Sequence, residues 1–316
     1  MKKLLIPTLL LSCLTGCIAR NQQTATTTNN TSEMQQPETI SVTTNDTSFQ
    51  LSEISKADSA TILRILRNTP KECKTHEQII IWIARQFLGV PYVAHTLDRT
   101  DYEQMVINLH ELDCTTYVEV VAALSRCVFM QKKDIADFIN ELRNIRYRNG
   151  VVSYETRNHY FQWWVEANTK NGVADEIFVQ NNPLYSSQTI NNYYMSKHSD
   201  SYDMLRNHSE RVESIKQQEA EHNGVKVYYL STNQIKNTQQ MRQLIHDGDI
   251  IGLVTTKEGL DASHLGIAVW HKDGLHFLNA SSLKKNGKSV VESKESFIPY
   301  LKTRPTDIGI RCLRLK

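Results

Sequence analysis

From Thr75 to Leu88 the apolar residues Ile79, Ile80, Trp82, Ile83 and Phe87 recur at helical spacing. They follow a Thr75/Gln78 capping pair and stop at Gly89 before Pro91, so the spacing predicts a buried helix. Ser52 to Leu66, with Ile54, Leu63 and Leu66, predicts a second helix. Asp134 to Ile145, with Ile135, Phe138, Ile139, Leu142 and Ile145 on one side, predicts a third. After about residue 222 the pattern changes to short runs rich in β-branched and aromatic residues: Val225 to Leu230, Ile250 to Thr255, Leu265 to Trp270, Leu275 to Leu278 and Ile308 to Leu313. Gly and Asp turns separate them, and His271-Lys272-Asp273-Gly274 joins two of them as a hairpin. Helices first and strands later predict an α+β fold with an antiparallel sheet built from the second half. Residues 180–222 are polar and weakly periodic, which reads as an insertion over the core.

The first residues set the compartment. Lys2 and Lys3 precede the apolar stretch Leu4 to Leu14, and Leu14-Thr15-Gly16-Cys17 follows. The run is too short to span a bilayer, and its form is that of a bacterial secretory signal, 1–17, ending in a lipobox. Cys17 would carry the lipid and become the new N-terminus; an ordinary cleaved signal with an incidental cysteine is the alternative. Either way the protein is exported, and with the lipid it is membrane-anchored, facing the periplasm or the cell surface. Residues 18–50 are rich in Thr, Asn, Gln and Ser, without hydrophobic periodicity, and read as a flexible tether. Residues 51–316 then form the folded body.

Without Lys2 and Lys3 the 36 basic residues fall to the same number as the 34 acidic ones. A neutral chain gives no global argument for nucleic acid as a partner. The body holds Cys73, Cys114, Cys127 and Cys312, no two at a close metal-type spacing, and their pairing in an exported protein stays open.

Leu112-Asp113-Cys114-Thr115-Thr116-Tyr117 precedes a helical stretch with Val118, Val120, Val121, Leu124 and Val128. This sets a cysteine at a helix start, with Asp113 as its cap. Unpaired amides and the positive dipole end there predict a lowered thiol pKa and a reactive thiolate. Such a nucleophile needs a base held by a third group. Ser263-His264-Leu265-Gly266-Ile267 places His264 at the beginning of an apolar strand, and the hairpin after it brings Asn279 roughly level, where its carbonyl can hold the imidazole tautomer. Taken alone, Cys114 also fits a small core residue and His264 a satisfied core histidine. His271 and His276 flank the same hairpin. With His264 they lack a carboxylate at helical ligand spacing, which disfavours a metal-dependent hydrolase.

Four of these segments, in order, resemble the NlpC-type papain-like cell-wall hydrolases, and within them an N-acetylmuramoyl-L-alanine amidase-like branch. Phe87-Leu88-Gly89-Val90-Pro91-Tyr92 resembles the Gly-x-Pro-Tyr segment, and Asp113-Cys114 the nucleophile pair. Asp247-Gly248-Asp249-Ile250-Ile251 resembles the turn into the first sheet strand, and Ser263-His264-Leu265-Gly266 the Ser-His-x-Gly strand. Arg157-Asn158-His159-Tyr160-Phe161 with Trp163 and Trp164 is similar to a segment of the amidase-like branch.

The resemblance implies a papain-like fold, with the nucleophile at a helix N-terminus packed on an antiparallel sheet or barrel. It also implies Cys114 as nucleophile, His264 as base and Asn279 as the orienting residue, with Tyr92 near the thiolate or oxyanion. No metal or organic cofactor is required. The implied reaction is hydrolysis between N-acetylmuramic acid, ordinary or anhydro, and L-alanine in muropeptides. Arg157, His159 and Tyr160 are candidates for binding the fragment, although an Arg-aromatic cluster is as often structural. Cleavage between D-glutamate and the diamino acid of the stem peptide is the alternative activity. An inactive lipid-anchored binding protein is the alternative class.

Overall fold

The longest helix of the described chain is walled in on nearly all sides. The computed structural model describes residues 38–40, 48–179 and 181–316; the lipobox, Cys17 and residues 18–37 of the expected tether lie outside them. Strands β1 (Thr39–Ile40) and β2 (Ile54–Ser55) pair antiparallel ahead of helices α1 (Lys56–Arg67) and α2 (His76–Arg85). Helix α3 (Cys114–Phe129) follows a long loop and packs between α2, α4 (Ile135–Arg146) and the sheet. Its residues from Thr116 to Ser125 are all buried. The capping box expected at α2 is present, with Gln78 N donating to Thr75 Oγ1 and Thr75 N to Gln78 Oε1, both at 3.3 Å.

After α5 (Phe161–Lys170), short strands β3 (Ala174–Glu176) and β4 (Tyr185–Thr189) lead to helices α6 (Tyr194–Lys197) and α7 (Ser209–His222). Strand β5 (Lys226–Ser231) and helix α8 (Gln239–Leu244) come next. The sheet is completed by β6 (Ile250–Thr255), β7 (Ala262–Trp270), β8 (Leu275–Ala280) and β9 (Val290–Glu292). Helix α9 (Phe297–Lys302) precedes the last strand, β10 (Asp307–Leu315). The antiparallel order is β4-β5-β10-β6-β7-β8-β9, with β3 added to β10. The fold is thus α+β, with the strands expected from the second half at its centre.

Both faces of the sheet are covered. Ile250, Leu265, Ile267, Val269, Leu278 and Leu313 join the α1–α4 side, while Ile251, Leu253, Ala268, Phe277, Ile310 and Cys312 join α8 and α9. Strands buried on two faces read as continuous apolar runs rather than alternating ones, which is why β6, β7 and β10 were legible.

Two expectations need correction in detail. Thr39–Ile40, inside the segment read as a tether, belongs to a β-ribbon, and Met105 N donates to Gln50 O at 2.8 Å. Ile40 and Phe49 pack on the main core; isolated apolar residues in a segment dominated by Thr, Asn, Gln and Ser were lost in the average. The insertion 180–222 supplies the sheet strand β4, whose Tyr-Ser-Ser-Gln-Thr sequence lacks the apolar alternation that marks a strand. Its remainder, α6 and α7, forms a separate small core of Met195, Met204, Leu205 and Ile215 with Tyr154, Tyr160 and Trp163. Among the described residues Cys73, Cys114, Cys127 and Cys312 are free thiols, and no helix is long and apolar enough to cross a membrane.

Candidate active site

Asp113 caps α3: its Oδ1 accepts from Thr116 N at 2.8 Å, and Thr116 Oγ1 accepts from Asp113 N at 2.9 Å. This closes the box that starts the helix at Cys114. The first-turn amides of Cys114 and Thr115 have no backbone acceptor among the described residues, as expected of the first turn of a helix. The Leu265 amide and the Cys114 amide point at the thiol, and Thr115 Oγ1 stands 4.0 Å from Sγ.

The sulfur opens into a cavity of about 380 Å³. Tyr92 and Asp113 line it beside Cys114, Arg157 through Phe161 form another wall, and Asp261 through Leu265, including Ser263 and His264, form a third. Met195 and Tyr202 of the insertion also reach it. Asn279 lies behind this wall, fully buried, with Oδ1 3.0 Å from His264 Nε2. Asn279 Nδ2 donates to Phe277 O at 3.3 Å, which turns Oδ1 toward the ring, so Nε2 carries the hydrogen and Nδ1 the free lone pair. Phe277 meets the imidazole edge-on, with centroids 5.9 Å apart.

The electrostatics differ from the expected thiolate. Burial pushes the Cys114 thiol up to about 11, and the Asp113 carboxylate adds to this; the Leu265 amide and Thr115 hydroxyl oppose it without winning. The cap that starts the helix therefore places a negative charge where a thiolate would form, offsetting the dipole. Burial, with the Arg304 charge, pushes His264 down to about 4. The resting pair is a neutral thiol and a neutral imidazole, and among the described residues no hydrogen bond joins them.

The other candidate residues divide by what already occupies them. Tyr92 is kept protonated by burial and by Cys114 and Asp113, so its hydroxyl is a donor beside the thiol. Ser263 Oγ donates to Asp307 Oδ1 at 2.7 Å, fixing the strand that carries His264. Arg157 is buried between Asp98, 2.5 Å away, and Glu103 at 3.6 Å, over the Tyr154 ring. His159 Nε2 donates to Tyr154 O at 2.7 Å, and burial and Arg157 hold the ring neutral. Tyr160 donates to Glu219 Oε1 at 2.6 Å and accepts from Met195 N at 2.9 Å. Its hydroxyl is spent holding α6 and α7 against the body, so only its ring is offered to a ligand.

Asp98, Glu103 and Glu219 had no signature in the sequence. They lie in an aperiodic loop and a polar helix, and only contact with Arg157 and Tyr160 gives them a role.

Residues 82–310 match the AmiA-like, N-acetylmuramoyl-L-alanine amidase-like family. No curated protein matches the chain. The crystal structure of an N-acetylmuramoyl-L-alanine amidase from Bacteroides uniformis is 34% identical, with a TM-score of 0.70 over 76% of this chain and 99% of that one. A Bacteroides fragilis protein assigned provisionally to the xylanases is 35% identical, with a TM-score of 0.68 over 74% and 99% of the two chains. A Legionella pneumophila protein at 24% identity, TM-score 0.61 over 82% and 95%, shares the fold.

Proposed function

We propose that this chain, which belongs to the AmiA-like, N-acetylmuramoyl-L-alanine amidase-like family, is a cysteine amidase. Its substrate is the amide between the lactyl group of N-acetylmuramic acid, ordinary or anhydro, and L-alanine in peptidoglycan fragments. The arrangement we assign is papain-like, of the NlpC type. The observation that carries it is the opening of Cys114, at the first residue of α3, into the cavity that His264 lines, with Asn279 fixing the imidazole tautomer.

In the assigned mechanism the Cys114 thiol gives its proton to His264 Nδ1 as Sγ bonds to the lactyl carbonyl carbon. Resting-state distances in such pairs are often long and close on the bound substrate. The oxyanion is met by the first-turn amides of α3 and the Tyr92 hydroxyl. Collapse breaks the C–N bond, and the proton on Nδ1 passes to the departing L-alanyl amine. Water then adds to the thioester carbonyl, returns a proton through Nδ1 to sulfur, and frees the muramic carboxylate. Asn279 keeps Nε2–H pointed away throughout, so Nδ1 alone exchanges protons.

The cavity carboxylates favour this over glycoside hydrolysis. Asp113 caps α3, Glu119 is 2.7 Å from Arg146, Asp98 pairs with Arg157 and Asp261 accepts from Gln162 N. Burial raises both Glu119 and Asp261, but Glu119 is held by Arg146 and Asp261 by Gln162 N, so no pair of free carboxylates faces the cavity as glycoside hydrolysis requires.

The test is mass spectrometry of defined muropeptides incubated with the full chain and with Cys114→Ala and His264→Ala. Free L-alanyl peptide from the wild type alone is expected. Products of cleavage after D-glutamate would replace this specificity with the endopeptidase one, and an inert wild type would leave a binding protein. We further place the enzyme outside the cytoplasm on a lipid at Cys17. Cys17→Ser is then expected to move it from the membrane to the soluble fraction, and an unchanged distribution would refute the anchor.

A further inference from the structure

The turn joining β7 to β8 carries a second cluster of chemically active side chains, six strand residues or roughly 20 Å from His264. One imidazole nitrogen each of His271 and His276 and one Asp273 oxygen all lie within 4.8 Å of one another. No carboxylate stands at the i, i+4 helical ligand spacing from these histidines in the sequence. The hairpin supplies one instead, because His271 N donates to Gly274 O at 2.8 Å and closes the turn around Asp273.

His276 is buried, and both its nitrogens face acceptors: Nδ1 is 2.8 Å from Ser293 O, and Nε2 is 3.0 Å from Asp273 Oδ1. A carbonyl oxygen only accepts, so Nδ1 carries hydrogen, and the Nε2 lone pair of a neutral ring points at a carboxylate. A cation between the two would satisfy both. His271 shows the same outer arrangement. Its Nε2 is 2.6 Å from Glu292 Oε1, and Arg85 holds Glu292 by bonds of 2.8 and 3.0 Å. A ring N–H given to a carbonyl or carboxylate is the support that metal-bound histidines use to fix tautomer and raise basicity.

We propose that His271, Asp273 and His276 bind a zinc ion, with a water in the fourth position. Two imidazole nitrogens and a carboxylate oxygen suit zinc. Bonds of about 2.0–2.1 Å set tetrahedral neighbours roughly 3.4 Å apart, so the donors draw inward on binding. Asp273 is exposed and free to move, whereas Ser293 fixes His276. His271, anchored by Glu292, stacks on His276 with centroids 4.0 Å apart and planes at 22°, so its ring must turn out of the stack on binding. The ion staples the β7–β8 turn to the segment that follows β9. It takes no part in hydrolysis, being at the far end of the strands that carry His264 and Asn279.

The full chain, stripped by a chelator and titrated with zinc chloride in a calorimeter, is expected to take up one equivalent and to melt roughly 5 °C higher. Asp273→Asn and His271→Ala, at positions whose loss leaves the core intact, are expected to weaken uptake by about a hundredfold and abolish the shift in melting. His276→Ala is expected to do the same, and cobalt(II) should give a four-coordinate visible spectrum that these variants lose. Muropeptide cleavage, where present, is expected to stay within about twofold after chelation. No uptake at micromolar zinc, or uptake unchanged in the variants, overturns the site. Cleavage lost on chelation and restored by zinc overturns its structural role.

Discussion

His264 Nε2 and Asn279 Oδ1 are 3.0 Å apart although the two residues are not opposite one another in the sheet. The register pairs Ile267 with Leu278, and counting back sets Gly266 opposite Asn279, with His264 on the diagonal. Gly266 has no side chain to fill the gap, and a Cβ there would lie 2.5 Å from the Phe277 ring and 2.6 Å from Leu278 O. Asn279→Ala is expected to lower kcat/KM for muropeptide cleavage by about 10²-fold with little effect on KM, because the imidazole loses its tautomer. Gly266→Ala is expected to lower both activity and melting temperature by displacing Phe277 from beneath the ring. Steady-state kinetics with thermal denaturation separates the two, and full activity in Asn279→Ala would remove it from the site.

The neutral resting pair sets the pH behaviour. With His264 pushed down to about 4, the base is already free at neutral pH. Hence kcat/KM should rise with pH through about 4 and stay flat from 6 to 8. For stability the folded value lies below the ordinary 6.5, so the unfolded chain binds the extra proton between the two. The contribution is whole above 6.5 and is lost as pH falls toward 4. With the thiol at about 11, alkylation of Cys114 at pH 8 should be about a hundredfold slower than for a free cysteine and climb about tenfold per pH unit. A plateau below pH 8, followed by peptide mass spectrometry, would show the ion pair that the geometry lacks.

Arg157 neutralises Asp98 and Glu103 in a buried setting. Arg157→Ala is expected to cost about 3–5 kcal/mol in urea unfolding, since two carboxylates lose their partner. Arg157→Lys should recover part of this, lacking the planar fork. If Arg157→Ala unfolds like the wild type and only KM rises, the residue serves the ligand rather than the fold.

Tyr160→Phe removes a hydroxyl bonded to both Glu219 and Met195 N. The expected loss is about 1–3 kcal/mol, concentrated where α6 and α7 meet the body. Limited proteolysis should then cut within 180–222 earlier than in the wild type, and an unchanged cleavage pattern would mean that the small core alone holds the insertion.

Much of this protein was legible in its sequence because the signals were local. The period of Ile79 to Phe87, the Thr75/Gln78 box, the apolar runs of β6, β7 and β10, and Asp113 ahead of Cys114 each act over one or two turns of backbone. Composition alone made the tether look uninterrupted, and it hid Ile40, Phe49 and the polar edge strand β4. What only the tertiary structure decided depends on groups distant in the chain and close in space. A thiol's pKa follows from how much water its neighbours exclude and which charges remain, so Cys114 is neutral despite its helix start. Arg157 has its role from Asp98 and Glu103, and Tyr160 from Glu219, 59 residues on. The helix dipole is written in the sequence; the burial that outweighs it exists only once the chain has folded around the sulfur.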